Sequence, residues 1–163
     1  MPQIKILGTV EVTGFTEGLC LTRQQARLLG LLAINANRMV PTEQIAVAMS
    51  GGPPAARQTA QMAVARLRRV LGKGAETAVM TVSGGYELVV DPERVDLFRA
   101  VDRLRSAVAA GAVAAIEVDD HLRLWQETVF GVHATALLRD QAITRINSIL
   151  TSCDRHRRPI VIG

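Results

Sequence analysis

Between Ala55 and Gly72 the chain carries Arg57, Gln58, Gln61, Arg66, Arg68 and Arg69, and no carboxylate lies anywhere from Ala55 to Ala75. Side chains of these two types suit duplex DNA: Arg pairs with guanine edges in the major groove, Gln with adenine edges, and further Arg neutralises phosphates. At about 100° per residue, Ala60, Ala63, Val64, Leu67, Val70 and Leu71 gather on one side of a helix. Arg57, Gln58, Gln61, Ala65, Arg68 and Arg69 collect on the opposite side, flanked by Thr59 and Arg66. A basic helix face is most often solvated surface. Such a face would normally mix in Glu for i,i+4 pairing, and none is present here. The small Ala65 also lets the backbone come close to base edges.

Other reactive residue types do not assemble into sites. Cys153 and His156 have a metal-like spacing without a second pair at suitable distance, and His121 and His133 stand alone. Asp119, Asp120 and His121 are adjacent, so on a helix they point in different directions, and no Ser in a strand-to-helix elbow completes a triad. Gly72-Lys73-Gly74 lacks the upstream Gly and the following Ser or Thr of a phosphate loop. The expectation is no catalytic residue, no metal, no cofactor and no enzyme.

Composition narrows the ligand further. In 163 residues, 48% hydrophobic content suffices for a packed core, whereas 3% aromatic content leaves little for stacking on single-stranded bases. Duplex DNA is the better match. The net charge is +4, with nine basic against six acidic residues up to Pro92 and ten against nine beyond it. The excess therefore sits in the first half and concentrates on one helix, as an electrostatic footprint for nucleic acid does. Cys20 and Cys153 are expected to be free, buried or half-buried thiols of a reducing compartment. No signal peptide or membrane-spanning apolar run is visible, so a cytoplasmic protein without a membrane partner is expected.

Stepping outward from the basic helix, Gln3–Val12 alternates apolar and polar residues and reads as a strand turning near Gly8, followed by a short strand at Leu19–Leu21. Thr22 with Gln25 three residues on has capping-box spacing and starts an apolar helix ending near Asn37. Arg38–Val40 is extended before Pro41, Thr42 caps a short helix, and Gly51-Gly52-Pro53-Pro54 stops it and delivers the chain to the basic helix. After a loop at Lys73–Thr77, two β-rich runs flank Ser83-Gly84-Gly85 as a hairpin. The order is that of a winged helix-turn-helix. An α+β fold is expected: small antiparallel sheet, three helices and a β-hairpin wing over residues 1–92, then an all-α, helical-repeat-like segment over 93–163. In that segment Val95, Phe98, Val101, Leu104 and Val108 share a face until Gly111 breaks the helix. Helices over about Val113–Gln126 and Thr135–Cys153 follow, and the tail is basic and then apolar.

The stretches ILGTVEV, RQQARLLGLLAINANRMVPTEQIAVAM, ARQTAQMAVARLRRVLG and GGYELVVDPERVDLFR, with LRLWQ farther on, resemble the antibiotic regulatory protein (SARP) family of bacterial activators. Members join an OmpR-type winged helix to a helical bacterial transcriptional activation domain. The resemblance implies an activator that binds promoter direct repeats as tandem protomers, a homodimer on DNA, and recruits RNA polymerase. It implies bases facing Gln58, Gln61, Ala65 and Arg68, phosphates held by Arg57, Thr59, Arg66 and Arg69, Thr81 and Ser83 on the wing, and the loop Ser50–Ala55 toward the polymerase. Two departures stand out: the wing reads Ser83-Gly84-Gly85-Tyr86 where relatives carry an arginine or a pair of prolines, and the helical segment is much shorter than the family's. An alternative expectation is therefore an interaction protein whose helical segment binds a partner or a longer relative without itself activating transcription.

Overall fold

The computed structural model describes residues 2–15, 19–50, 56–111 and 136–152. β1 (Gln3–Lys5) and β2 (Glu11–Thr13) pair antiparallel around a turn that contains Gly8 at φ 86°, with Lys5 and Glu11 ion-paired at 3.2 Å. The turn expected near Gly8 is thus formed. The expected strand at Leu19–Leu21 is not: the segment pairs with no other strand, and Cys20 is exposed rather than buried.

Helix α1 (Arg23–Ile34) begins with the expected capping box. The Gln25 backbone N–H donates to Thr22 Oγ1 at 3.3 Å, and Gln25 Oε1 accepts from the Thr22 N–H at 2.8 Å. Two of the donors a helix start leaves unpaired are thereby satisfied. Ala26 and every residue from Leu28 to Ile34 are buried, so α1 is enclosed nearly all round and serves as the central post of the core. It ends at Asn35, whose side-chain amide donates to the Leu31 carbonyl at 2.9 Å.

Asn37 then adopts a left-handed conformation at φ 59°, which Asn tolerates better than most residues. Its side chain donates to the Val90 carbonyl at 2.7 Å and accepts from the Val90 N–H at 3.1 Å. That clamp brings the chain into β3 (Met39–Pro41), in a segment the sequence marked only as extended. With β4 (Val79–Val82) and β5 (Gly85–Leu88) it forms an antiparallel sheet in the order β3-β5-β4. Pro41 has no N–H to give a ladder, and its place on an edge strand costs nothing there. A Cβ at Gly85 would overlap the Val40 carbonyl, so only Gly lets these two strands meet.

Helix α2 (Thr42–Ser50) packs against α3 (Ala56–Leu71). Thr42 does not act as the expected N-cap: its hydroxyl and its backbone N–H both donate to the Gly84 carbonyl, at 3.2 and 3.1 Å, tying the start of α2 to the hairpin turn. The Gly51–Pro54 stop lies outside the described residues. Past Gly72, the stretch expected as a loop includes a one-turn helix α4 (Ala75–Ala78) leading directly into β4.

The core does not stop at Pro92. A 3-10 turn (Pro92–Arg94) leads to Val95, which bridges to Ile4 of β1, and to α5 (Asp96–Ala109). The Asp96 carboxylate accepts from the Ile6 N–H at 2.8 Å and from the Leu7 N–H at 3.2 Å, closing the β1–β2 turn onto the first turn of α5. Phe98, Val101 and Leu104 are buried as the helical spacing predicts, joined by Leu97. Helix α6 (Ala136–Ser152) fits the expected last helix and adds Leu138 and Ala142 to the same cluster. Each fully buried Leu or Ile stabilises the fold by about 1.5–3 kcal/mol relative to exposure, and Ile4, Leu29, Leu32, Ile45, Leu67 and Leu88 are all within 2% of complete burial. The expected helix over Val113–Gln126, Val108's side chain, the LRLWQ stretch and the tail fall outside what is described.

Candidate nucleic-acid interface

Helix α3 is amphipathic as its sequence dictates. Ala60, Val64, Leu67 and Leu71 are buried against α1 and α2, with Ala63 and Val70 half-buried at the margins. Arg57, Gln58, Gln61, Ala65, Arg66 and Arg69 are exposed, and Thr59 is half-buried. Gly72 at φ 77° ends the helix, its N–H donating to the Arg68 carbonyl at 3.0 Å. Among the described residues the ion pairs are Lys5–Glu11 and Asp102–Arg105, so no carboxylate neutralises the arginines of α3.

The outward side divides into two flanks. Thr59, Met62 and Arg66 face the start of α1, where with Thr22, Arg23 and Met49 they line a groove of about 550 Å³. Ala65 and Arg69 lie on the other flank, beside Lys73, Glu76 and Thr77 of the α4 turn, in an open cleft of about 680 Å³. Two of these residues were missed as site candidates from sequence. Met62 is 47% exposed in the middle of the polar face, and Lys73 extends the positive charge past the end of the helix. The same 100° projection that grouped Gln58 with Arg69 would have placed Met62 next to Arg69, between it and Arg66.

Arg68, which the resemblance put among the base-facing residues, makes contacts within the fold. It is half-buried, and its guanidinium is turned onto the hairpin. Nε and Nη2 both donate to the Val79 carbonyl, the first at 2.9 Å, and Nη2 also donates to Thr81 Oγ1 at 3.0 Å. The guanidinium carbon lies 5.9 Å from the centre of the Tyr86 ring, within cation–π range. The reason lies in helix geometry: Arg68 sits on the margin of α3 that faces β4, where the Val79 carbonyl and the Tyr86 ring offer a fixed set of acceptors. A charge-assisted fork of this kind is stronger and more directional than a solvated arginine. Arg68 therefore fixes the angle between α3 and the hairpin.

Thr81 and Ser83 are exposed on that hairpin, Ser83 in the turn with Gly84 at φ 86°. The Thr81 oxygen accepts from Arg68 and leaves its own O–H to donate outward. Structure thus brings Arg57, Gln58, Gln61, Ala65 and Arg69 onto the projecting side of α3, puts Thr59 and Arg66 on its α1 flank, and sets Thr81 and Ser83 on a hairpin braced by Arg68. Ser50–Ala55, expected toward a polymerase, lacks a described loop conformation. No group of three or more metal-ligating side chains exists among the described residues, and no described helix is long and apolar enough to cross a membrane.

A comparison with curated proteins finds no match. Residues 16–88 match the family described as transcriptional regulatory protein, C terminal. Among solved structures, that of Mycobacterium tuberculosis EmbR in complex with low affinity phosphopeptide has a similar fold, with a TM-score of 0.60 at 24% identity over 93% of this chain. The match covers 42% of that chain, so the present protein spans less than half the length of this neighbour. Family match and element order agree on the fold: residues 16–88 are similar to the C-terminal domain of transcriptional regulatory proteins and have a winged-helix architecture, with α3 braced against the β4–β5 hairpin.

Proposed function

We propose that this protein is a cytoplasmic regulator that lays α3 in the major groove of promoter DNA, with the β4–β5 hairpin along the adjoining backbone. The observation that carries the reading is the carboxylate-free, exposed side of α3 held at a fixed angle to an exposed hairpin. Gln58 and Gln61 are the base readers, with Ala65 permitting close approach, and Arg57, Arg66 and Arg69 hold phosphates together with Thr59, Thr81 and Ser83. Arg68 is assigned to positioning because its Nε and Nη2 already donate to the hairpin. Binding to direct repeats as a homodimer, and activation through contact with RNA polymerase, complete the proposal and rest on the family resemblance.

Mobility shift on a promoter containing direct repeats tests it. Retardation is expected at about 50 mM salt, with log affinity falling linearly against log salt as phosphate contacts require. No retardation with micromolar protein at that salt would overturn the reading. A footprint of the bound site would then give repeat spacing, and with it protomer number and orientation.

A further inference from the structure

Among the described residues the large apolar side chains left exposed are Met39, Val47, Met62, Met80 and Val89. Met39 and Met80 lie on the β3-β5-β4 sheet, where both stand opposite Glu87, Val89 follows β5, and Val47 belongs to α2. Met62 is therefore the one that α3 carries, and it is 47% exposed. A single exposed apolar side chain needs no explanation on ordinary surface. Met62 does not stand on ordinary surface: it projects beside Arg69 and Arg66, one helical turn from Gln58 and three residues from the small Ala65, on the face that carries no carboxylate.

The chemistry of the side chain limits what it can do there. A thioether donates no hydrogen bond and accepts only weakly, so it neither holds a phosphate nor pairs with the polar edge of a base. The apolar group that a base pair presents in the major groove is the C5-methyl of thymine. An unbranched side chain with three rotatable bonds can settle on that methyl group without demanding one exact approach. Gln58 and Met62 are four positions apart on one helix, about 6 Å along its axis, which is roughly two base-pair steps.

Resting on the proposed docking of α3 in the major groove, we infer that Met62 is a specificity-determining residue that packs on the C5-methyl of a thymine, about two base pairs from the adenine held by Gln58. Gln58 then selects its base by hydrogen bonds and Met62 selects by apolar contact, so the operator carries a thymine that no polar side chain of α3 recognises. Arg66 and Arg69, on either side of Met62 around the helix, remain free to hold the phosphates that flank this step.

The test uses the full chain to select duplexes from a randomised pool. A selected duplex is then resynthesised with each thymine replaced in turn by uracil, which removes the methyl group and leaves base pairing intact. In band-shift titrations one replacement is expected to weaken binding about fourfold, the equivalent of one buried methyl group. Met62→Ala should lose that sensitivity with its unfolding midpoint unchanged, because the residue is exposed, and Met62→Leu should keep most of it. The sensitive thymine should lie about two base pairs from the position at which Gln58→Ala relaxes preference. A uracil profile that is the same in the wild type and in Met62→Ala would overturn the assignment while leaving DNA binding in place. So would a loss in Met62→Ala that is equal at every position, which would assign Met62 to the groove it borders with Met49. Recovery of no duplex from the pool would overturn the docking of α3 itself, and the thymine contact with it.

Discussion

Helices α1 and α3 lie against each other, and both were legible as helices from sequence, yet they do opposite work. Helix α1 buries Ala26 and everything from Leu28 to Ile34, whereas α3, among its described side chains, buries Ala60, Val64, Leu67 and Leu71 and leaves its other side to solvent. One is enclosed by the core, and the other is held by it. The difference teaches where sensitivity should fall: changes in α1 should be paid in stability, and changes on the outer side of α3 in affinity.

The largest effect should come from Leu29→Ala in α1. Leu29 is fully buried, and removal of a buried Leu side chain typically costs about 2–5 kcal/mol through lost transfer energy and the cavity left behind. Denaturant unfolding should show a lower midpoint with an unchanged slope, and the fraction that stays folded should bind DNA with unaltered specificity. A stable Leu29→Ala protein with altered sequence preference would break the comparison.

Next in size is Arg68→Ala, which tests the boundary between the two behaviours. Loss of the fork onto Val79 and Thr81 should cost about 1–3 kcal/mol of stability, the range for charge-assisted hydrogen bonds, and Arg68→Lys should recover little because an ammonium cannot form the planar fork. DNA affinity should fall for all sequences alike as the hairpin loosens. If Arg68 instead reads a base, stability would hold and specificity would relax at a single position.

Gln61→Ala should leave the unfolding midpoint in place and cost about 1–3 kcal/mol of binding at one base pair. Arg57→Ala should weaken every sequence equally and reduce the slope of log affinity against log salt by about one. Band-shift titrations on a panel of operator variants at two salt concentrations separate these outcomes. A uniform loss in both variants would remove the division between readers and phosphate holders.

What the sequence discloses and what it withholds follow from the range of the interactions. The capping box of Thr22 and Gln25, the amphipathic face of α3 and the Ser83-Gly84 turn depend on residues a few positions apart, and each is present as expected. The features that the sequence alone does not disclose depend on distant partners. Thr42 has the chemistry of an N-cap, but the Gly84 carbonyl lies within reach of its hydroxyl and accepts a hydrogen bond from it. Met39–Pro41 becomes a strand because β5 offers it a free edge. The Arg68 side chain is chemically suited to guanine, and only the fold shows that the Val79 carbonyl is nearer. Leu97 fell outside the face grouped on α5, yet it is fully buried because the helix meets more than one neighbour.

The smallest expected effect concerns Asp96, which joins the two halves of the chain. Its carboxylate accepts from the N–H groups of Ile6, Leu7 and Leu97, which favours the charged form, yet burial outweighs those bonds and raises its pKa above the ordinary value. A carboxyl whose pKa is higher in the folded state holds its proton more tightly there than in the unfolded chain. Its contribution to stability is therefore fully present below the unfolded value of about 3.9, and is lost as pH rises through the folded value. Asp96→Asn keeps an acceptor for Ile6 and Leu97 and removes the ionisation. The stability of the wild type relative to Asp96→Asn should accordingly improve as pH falls from 7 toward 4, measured by urea unfolding of both proteins in parallel. A difference that moves the other way would mean that the three N–H groups dominate over burial. The contact between the β1–β2 turn and α5 would then hold more firmly at neutral pH than in acid.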